Sequence, residues 1–170
     1  FVIFGLPFSR WQTLEAFDPC IRAWQEGGIL TKLHLIGPAD IKFDTRSNRL
    51  ISEYSQPGTV IRHGEITAVE VSKVLSVARF ALTTANDLTW SKSTTLMAYL
   101  AHGCAVVADE ESNKEPLSWA IRPKEVETLS TDQLRSKADA GRRWYQDHAE
   151  WNVLAGKISE LIANLPERGF

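Results

Sequence analysis

RFALTTANDLTWSKSTTLMAYLAHGCAVVAD, residues Arg79 to Asp109, is the stretch whose reading decides the fold. It reads as a buried strand (Arg79–Thr84), a polar loop, a helix opening at Ser93, Thr94 and Thr95, and a second buried strand (Cys104–Asp109). The runs FAL and AVVA are apolar at every position, the pattern of strands covered on both faces by helices. Leu96, Met97, Tyr99 and Leu100 make the helix between them apolar over most of its girth, so it packs deeply, and Gly103 ends it. This is a βαβ unit.

The first turn of that helix is where chemistry can sit. Its leading N–H groups lack intrahelical partners and carry the positive end of the macrodipole. Lys92 and the three adjacent hydroxyls add donors, and an open parallel sheet places such loops at its ligand-binding edge. An anion such as a diphosphate fits there; Ser93 or Thr94 fits equally the plain role of helix cap.

Outward toward the N-terminus, Phe1–Gly5 (FVIFG) is an apolar run ending in a tight Gly5-Leu6-Pro7-Phe8 loop. A helix then begins near Ser9, with Trp11, Leu14, Phe17, Ile21 and Trp24 at helical spacing; Asp18-Pro19 predicts a kink or restart within it. Lys32–Gly37 is the next strand, a short helix lies between Ala39 and Pro57, and Thr59–Gly64 is a third strand. Thr67 and Glu70 form a capping-box pattern that opens a further helix.

Outward toward the C-terminus comes an acidic loop, Asp109–Glu111, that reads mainly as a solvated connection. Trp119–Ile121 follows as a short edge strand, and then a helix opens at Ser130 and Gln133 with Leu134, Ala138 and Tyr145 inward. Trp151, Leu154, Ala155, Ile158, Leu161, Ile162 and Leu165 mark a closing helix that should pack against something large. Strands alternating with helices predict an α/β fold, a doubly wound parallel sheet of about six strands with helices on both faces, as a single domain over residues 1–170.

Composition narrows the function classes. With 19 Lys+Arg against 21 Asp+Glu in 170 residues, the chain carries no nucleic-acid footprint. No apolar run approaches the roughly 20 residues that cross a bilayer. Cys20 and Cys104 have no metal or redox spacing and suit a reducing, cytoplasmic compartment. The chain opens on a strand without an initiator Met, which predicts a fragment of a longer protein. His34, His63, His102 and His148 fall in four elements without ligand spacing, so no metal is expected; His34, between Leu33 and Leu35, reads as a satisfied core residue. There is no nucleophile elbow, no Walker A and no G-x-G-x-x-G.

Taken together, FVIFG, LHLIGP, VIRHGEITAVEVSKVLSVARFAL, KSTTLMAYLAHGCAVVAD and RWYQDHAEWNVLAGKISEL resemble, in order and over nearly the whole chain, the C-terminal nucleotide-sugar-binding domain of a retaining, group 1 GT-B glycosyltransferase. The resemblance implies a Rossmann-like, GT-B half that binds a nucleoside-diphosphate sugar such as a UDP- or GDP-sugar. In the full-length enzyme a glycosyl unit would pass to an acceptor hydroxyl, with no separate cofactor. An N-terminal acceptor domain would be missing here, and the location implied is the cytoplasm or the cytoplasmic membrane face.

The resemblance also implies roles. Gly5 and Leu6 would line the donor phosphates with Arg10 as counter-charge, and Lys92, Ser93, Thr94 and Thr95 would meet the diphosphate. His63, Gly64, Glu65 and Ile66 would face the base, and Asn86 or Asp87 would reach ribose or sugar hydroxyls. The sequence departs from the family at Trp90 and Ala98, where two glutamates are usual, and at Leu6 and Trp11, where an Arg and a Lys are usual. A catalytically degenerate member and a flavodoxin-like binding module are therefore the alternatives. The six tryptophans serve core packing or docking onto a missing domain.

Overall fold

The computed structural model describes residues 1–163. Five strands, β1 (Val2–Phe4), β2 (Leu33–Ile36), β3 (Val60–Gly64), β4 (Phe80–Thr83) and β5 (Ala105–Ala108), form one sheet in the order β3-β2-β1-β4-β5. Every pairing is parallel, with Ile3 beside Leu35 and Ala81 beside Val106. The helices are α1 (Pro7–Glu26), α2 (Ile41–Ser52), α3 (Ala68–Val77), α4 (Thr94–Ala101), α5 (Thr131–His148) and α6 (Trp151–Ala163).

Pleating splits β1, β4 and β5 between two cores, which is why their apolar runs show no alternation. Leu14, Phe17, Ile21 and Trp24 of α1 pack on Ile3, Leu33, Leu35, Phe80, Leu82 and Val107. Leu75 of α3 and Leu96, Tyr99 and Leu100 of α4 pack on Val2, Ile36, Ala81 and Val106 from the other side. Fully burying a side chain such as Phe17 or Leu82 contributes about 1.5–3 kcal/mol, so the sheet is held from both faces. The doubly wound arrangement follows.

Local capping rules set several helix starts. Thr67 with Glu70 and Ser130 with Gln133 form reciprocal capping boxes, Asp40 accepts from the Phe43 amide, and Ser93 accepts from the Leu96 amide at 3.1 Å.

Three expectations change. Pro19 does not restart the chain as a second helix: α1 starts at Pro7 and runs unbroken through Pro19 to Glu26. Pro19 and Glu15 are exposed, so water can serve the carbonyl left without a donor, while Phe17 and Ile21 anchor the helix on both sides. The edge strand at Trp119–Ile121 reduces to one bridge: Ile121 pairs with Val107, donating to the Val106 carbonyl at 2.8 Å, while Leu117–Trp119 is a 3₁₀ turn.

The closing helix also differs from expectation. Within the described chain α6 leaves Trp151, Leu154, Ile158 and Leu161 exposed, with α5 as its neighbour. Leu165 lies outside the described residues.

Candidate functional site

At the C-terminal edge of the sheet, β1 sits between β2 and β4, and the chain's crossovers run in opposite directions on its two sides. Such a switch point leaves a crevice because the adjoining loops diverge. Here it is a cavity of about 520 Å³. Ser9, Gln12 and Thr13 of α1 form one wall, and Thr83, Thr84, Asn86 and Thr89 of β4 and its following loop form the other. Lys92, Ser93 and Thr95 close it at the start of α4. Phe4, Leu82, Ala85 and Leu88 supply an apolar part of the lining; its polar part is hydroxyls and amides, with Lys92 the one charged residue.

The floor of this crevice is held rigidly. Tyr99 is fully buried, and its hydroxyl accepts from the Phe4 amide at 2.7 Å, tying α4 to the end of β1. Burial pushes the ionisation of that hydroxyl well above its usual value, so it stays neutral. One residue on, Gly5 has φ +137°, and a Cβ there would lie 3.0 Å from Thr95 Oγ1. The Gly5 loop and the α4 N-terminus thus lie close together, while Gly5 itself is not among the residues that line the crevice. Ser93 is both the cap of α4 and part of the lining.

Arg10 is placed differently from the counter-charge that the resemblance implies. Its side chain is buried behind the Gly5 loop, 6% exposed. Nη1 donates to the Gly5 carbonyl at 2.7 Å and Nη2 to the Pro38 carbonyl at 2.6 Å. Asp44 Oδ1 lies 3.8 Å from Arg10 Nη2 and 3.7 Å from Arg62 Nη1. Burial lowers the Arg10 pKa from its ordinary value, Asp44 opposes that and Arg62 adds to it. Arg10 is a strut between the loops after β1 and β2, and it is absent from the crevice lining. Leu6 caps α1 and is 67% exposed.

The residues expected to face a base lie apart from the crevice lining. His63 is engaged with His34, Nε2 to Nδ1 at 2.8 Å with rings 5.1 Å apart. The Gly64 carbonyl accepts from the Gly37 amide at 2.9 Å, Glu65 is exposed, and Ile66 packs on the α3–α4 core. Asn86 does line the crevice, but its Oδ1 accepts from the Leu88 amide and Thr89 Oγ1, which stiffens the wall. Asp87 turns outward to Ser112 Oγ and, at 3.6 Å, to Lys114 Nζ. Thr94 opens α4 without lining the crevice. Ser9, Gln12, Thr83, Thr84 and Thr89 are lining residues that sequence reasoning missed; only their position just past β1 and β4 could have signalled them.

The His34–His63 contact gives a pH prediction. Burial lowers the His34 pKa below 6.5, and His63 and Lys32 add to the effect. A depressed imidazole pKa stabilises the fold above the unfolded value, and that stability is lost as pH falls through the folded value. The urea midpoint is therefore expected to fall as pH drops below about 6.5, and His34→Asn, which keeps a hydrogen-bonding group but does not titrate, should flatten that dependence.

The remaining polar features sit elsewhere. In the acidic loop Glu111 pairs with Arg122, and Asp109 has its pKa raised chiefly by burial. Trp90 and Ala98, at the positions of the usual glutamates, both pack on the α3–α4 core, with Trp90 edge-on to Trp144 at 5.6 Å. No group of His, Cys, Asp or Glu among the described residues could hold a metal ion.

A doubly wound parallel sheet with a polar crevice at its switch point defines the chain as a Rossmann-like domain. The particular likeness is to glycosyltransferase structures. Sucrose-phosphate synthase from Thermosynechococcus elongatus matches at TM-score 0.69 and 17% identity over 95% of this chain and 44% of its own. Trehalose-6-phosphate synthase OtsA matches at 0.67 and 13% over 97% and 44%, and Anabaena HepE, solved with UDP and glucose, at 0.69 and 12% over 96% and 48%. The chain therefore spans less than half the length of these proteins while sharing the fold of that portion. No protein-family model matches it, and no curated protein is similar to it in sequence.

Proposed function

We propose that this chain is the donor-binding domain of a cytoplasmic GT-B glycosyltransferase of the group 1 kind, completed by an N-terminal acceptor domain. The observation that carries this is the crevice at the β1–β4 switch point, walled by hydroxyls and closed by Lys92 and the α4 N-terminus, in a fold shared with HepE in its complex with UDP and glucose. A diphosphate seated there would meet Lys92, the Ser93 and Thr95 hydroxyls and the first free amides of α4. The adjacent hydroxyl and amide groups, Asn86 among them, suit ribose or sugar. In glycosyl transfer, negative charge grows on the departing diphosphate, and preoriented donors stabilise it without reorganising.

A second reading has its own support. Arg10 is committed to carbonyls, and Trp90 and Ala98 are core residues without carboxylates, so the crevice offers one cation and lacks the usual glutamates. This favours a domain that binds a nucleoside diphosphate weakly, or a degenerate one. The test is titration of the chain with UDP, GDP and ADP, followed by amide chemical shifts. One nucleotide is expected to shift the Gly5, Thr84 and Thr95 amides. Lys92→Ala should weaken it about tenfold, the loss of one charge-assisted contact worth about 1.5 kcal/mol. Silence from all three on a folded chain would reject the donor site in this half.

A further inference from the structure

The connection between β4 and α4 has two sides. Thr84, Ala85, Asn86, Leu88 and Thr89 line the crevice, whereas Asp87, in their midst, turns its carboxylate outward to the loop that follows β5. The turn from Asn86 to Thr89 is stiff in itself. Asn86 Oδ1 accepts from the Leu88 amide and from Thr89 Oγ1, both at 3.1 Å, and the Asn86 carbonyl accepts from the Thr89 amide at 3.0 Å. A turn closed on itself in this way moves as one body, so one point of attachment fixes where all its side chains stand.

That attachment is Asp87. Its Oδ1 accepts the proton of Ser112 Oγ, and its Oδ2 lies 3.6 Å from Lys114 Nζ. The Ser112 hydroxyl is itself oriented: Oγ accepts from the Lys114 amide at 3.0 Å, and its one proton goes to the carboxylate, a stronger acceptor than the Lys114 carbonyl at 3.3 Å. The Lys114 side chain is 69% exposed, so its ion pair contributes little. A hydroxyl bound to a carboxylate is roughly twice as strong as a neutral hydrogen bond, which makes Ser112 the main hold.

Both bodies that flank the turn are firm. The loop bearing Ser112 leaves the buried strand β5 and ends at Pro116 and Leu117, which are buried as well. The opposite wall of the crevice belongs to α1, anchored by the fully buried Leu14 and Phe17. The width of the crevice therefore depends on where the turn is held. We propose that Ser112 is a positioning residue: acting through Asp87, it keeps Leu88 and Thr89 at the spacing from α1 that a bound nucleotide requires. The inference rests on the donor reading.

The test is calorimetric titration of UDP, GDP and ADP into the chain and its variants, with a thermal melt of each. Ser112→Ala and Asp87→Ala should each weaken the nucleotide that binds about tenfold, while the melting temperature moves by less than about 2 °C. The double variant should bind no more weakly than either single one, since both remove the same contact. Ser112→Thr, which keeps the hydroxyl, should return affinity to within about threefold of wild type. Wild-type affinity in the folded alanine variants, losses that add in the double variant, no recovery in Ser112→Thr, or a loss that tracks a falling melting temperature each overturn the proposal and leave the donor site standing. A wild-type chain that binds none of the three rejects the donor reading and this proposal with it.

Discussion

Gly37→Ala is expected to lower stability by about 3–5 kcal/mol. Gly37 has φ +132°, and a Cβ there would stand 2.1 Å from the Gly5 carbonyl oxygen and 2.3 Å from Arg10 Nη1. Backbone strain of that kind costs about 1–3 kcal/mol and overpacking another 1–3 kcal/mol. Neither clashing group can move freely, because each holds the other by a hydrogen bond. At about 2–4 °C per kcal/mol for a domain of this size, the melting temperature should drop by roughly 10 °C. Gly58→Ala, with nothing within 4 Å of its Cβ, serves as control and should change stability by less than about 0.5 kcal/mol.

The second large effect is expected from Arg10→Met. It keeps the apolar stem but leaves the Gly5 and Pro38 carbonyls without their donor. Hydrogen bonds to charged groups contribute about 1.5–3 kcal/mol each, so the loss should reach about 3 kcal/mol by urea unfolding. Arg10→Lys should recover little, since one ammonium cannot reproduce the two-pronged contact. Under conditions where Arg10→Met stays folded, its nucleotide affinity is expected to match wild type within a factor of about three. A tenfold loss of nucleotide binding with unchanged stability would instead return Arg10 to the phosphate-binding role implied by the family resemblance.

These two residues show where local reading stops. The position of Arg10, near where the family places a cation for the diphosphate, invited that assignment. The carbonyl that claims its Nη2 lies 28 residues away at Pro38, beyond any local pattern. His63 and Asp87 follow the same rule: each had a local reason to serve a ligand, and each is taken by a partner, His34 or Ser112, that only the assembled sheet and loops bring near. Pro19 failed in the opposite direction. The rule against an interior proline holds for an isolated helix, and burial of Phe17 and Ile21 on either side outweighs it.

Features set by neighbours in the chain were readable from the sequence. The fully apolar runs FAL and AVVA dictate strands buried on both faces, because no alternation remains to offer a solvent side. The pairs Thr67/Glu70 and Ser130/Gln133 place helix starts because each satisfies free amides within one turn. Ser93, Lys92 and Thr95 reach the crevice because a helix following a parallel strand must begin at that edge. Tertiary structure alone decided which polar groups there remain available to a ligand. A buried donor or acceptor takes whichever partner the fold delivers, and that choice is made by strands and loops distant in sequence. The chain's order of residues thus determined the sheet, its caps and the location of the crevice; packing determined that Lys92 faces it while Arg10 braces the wall behind.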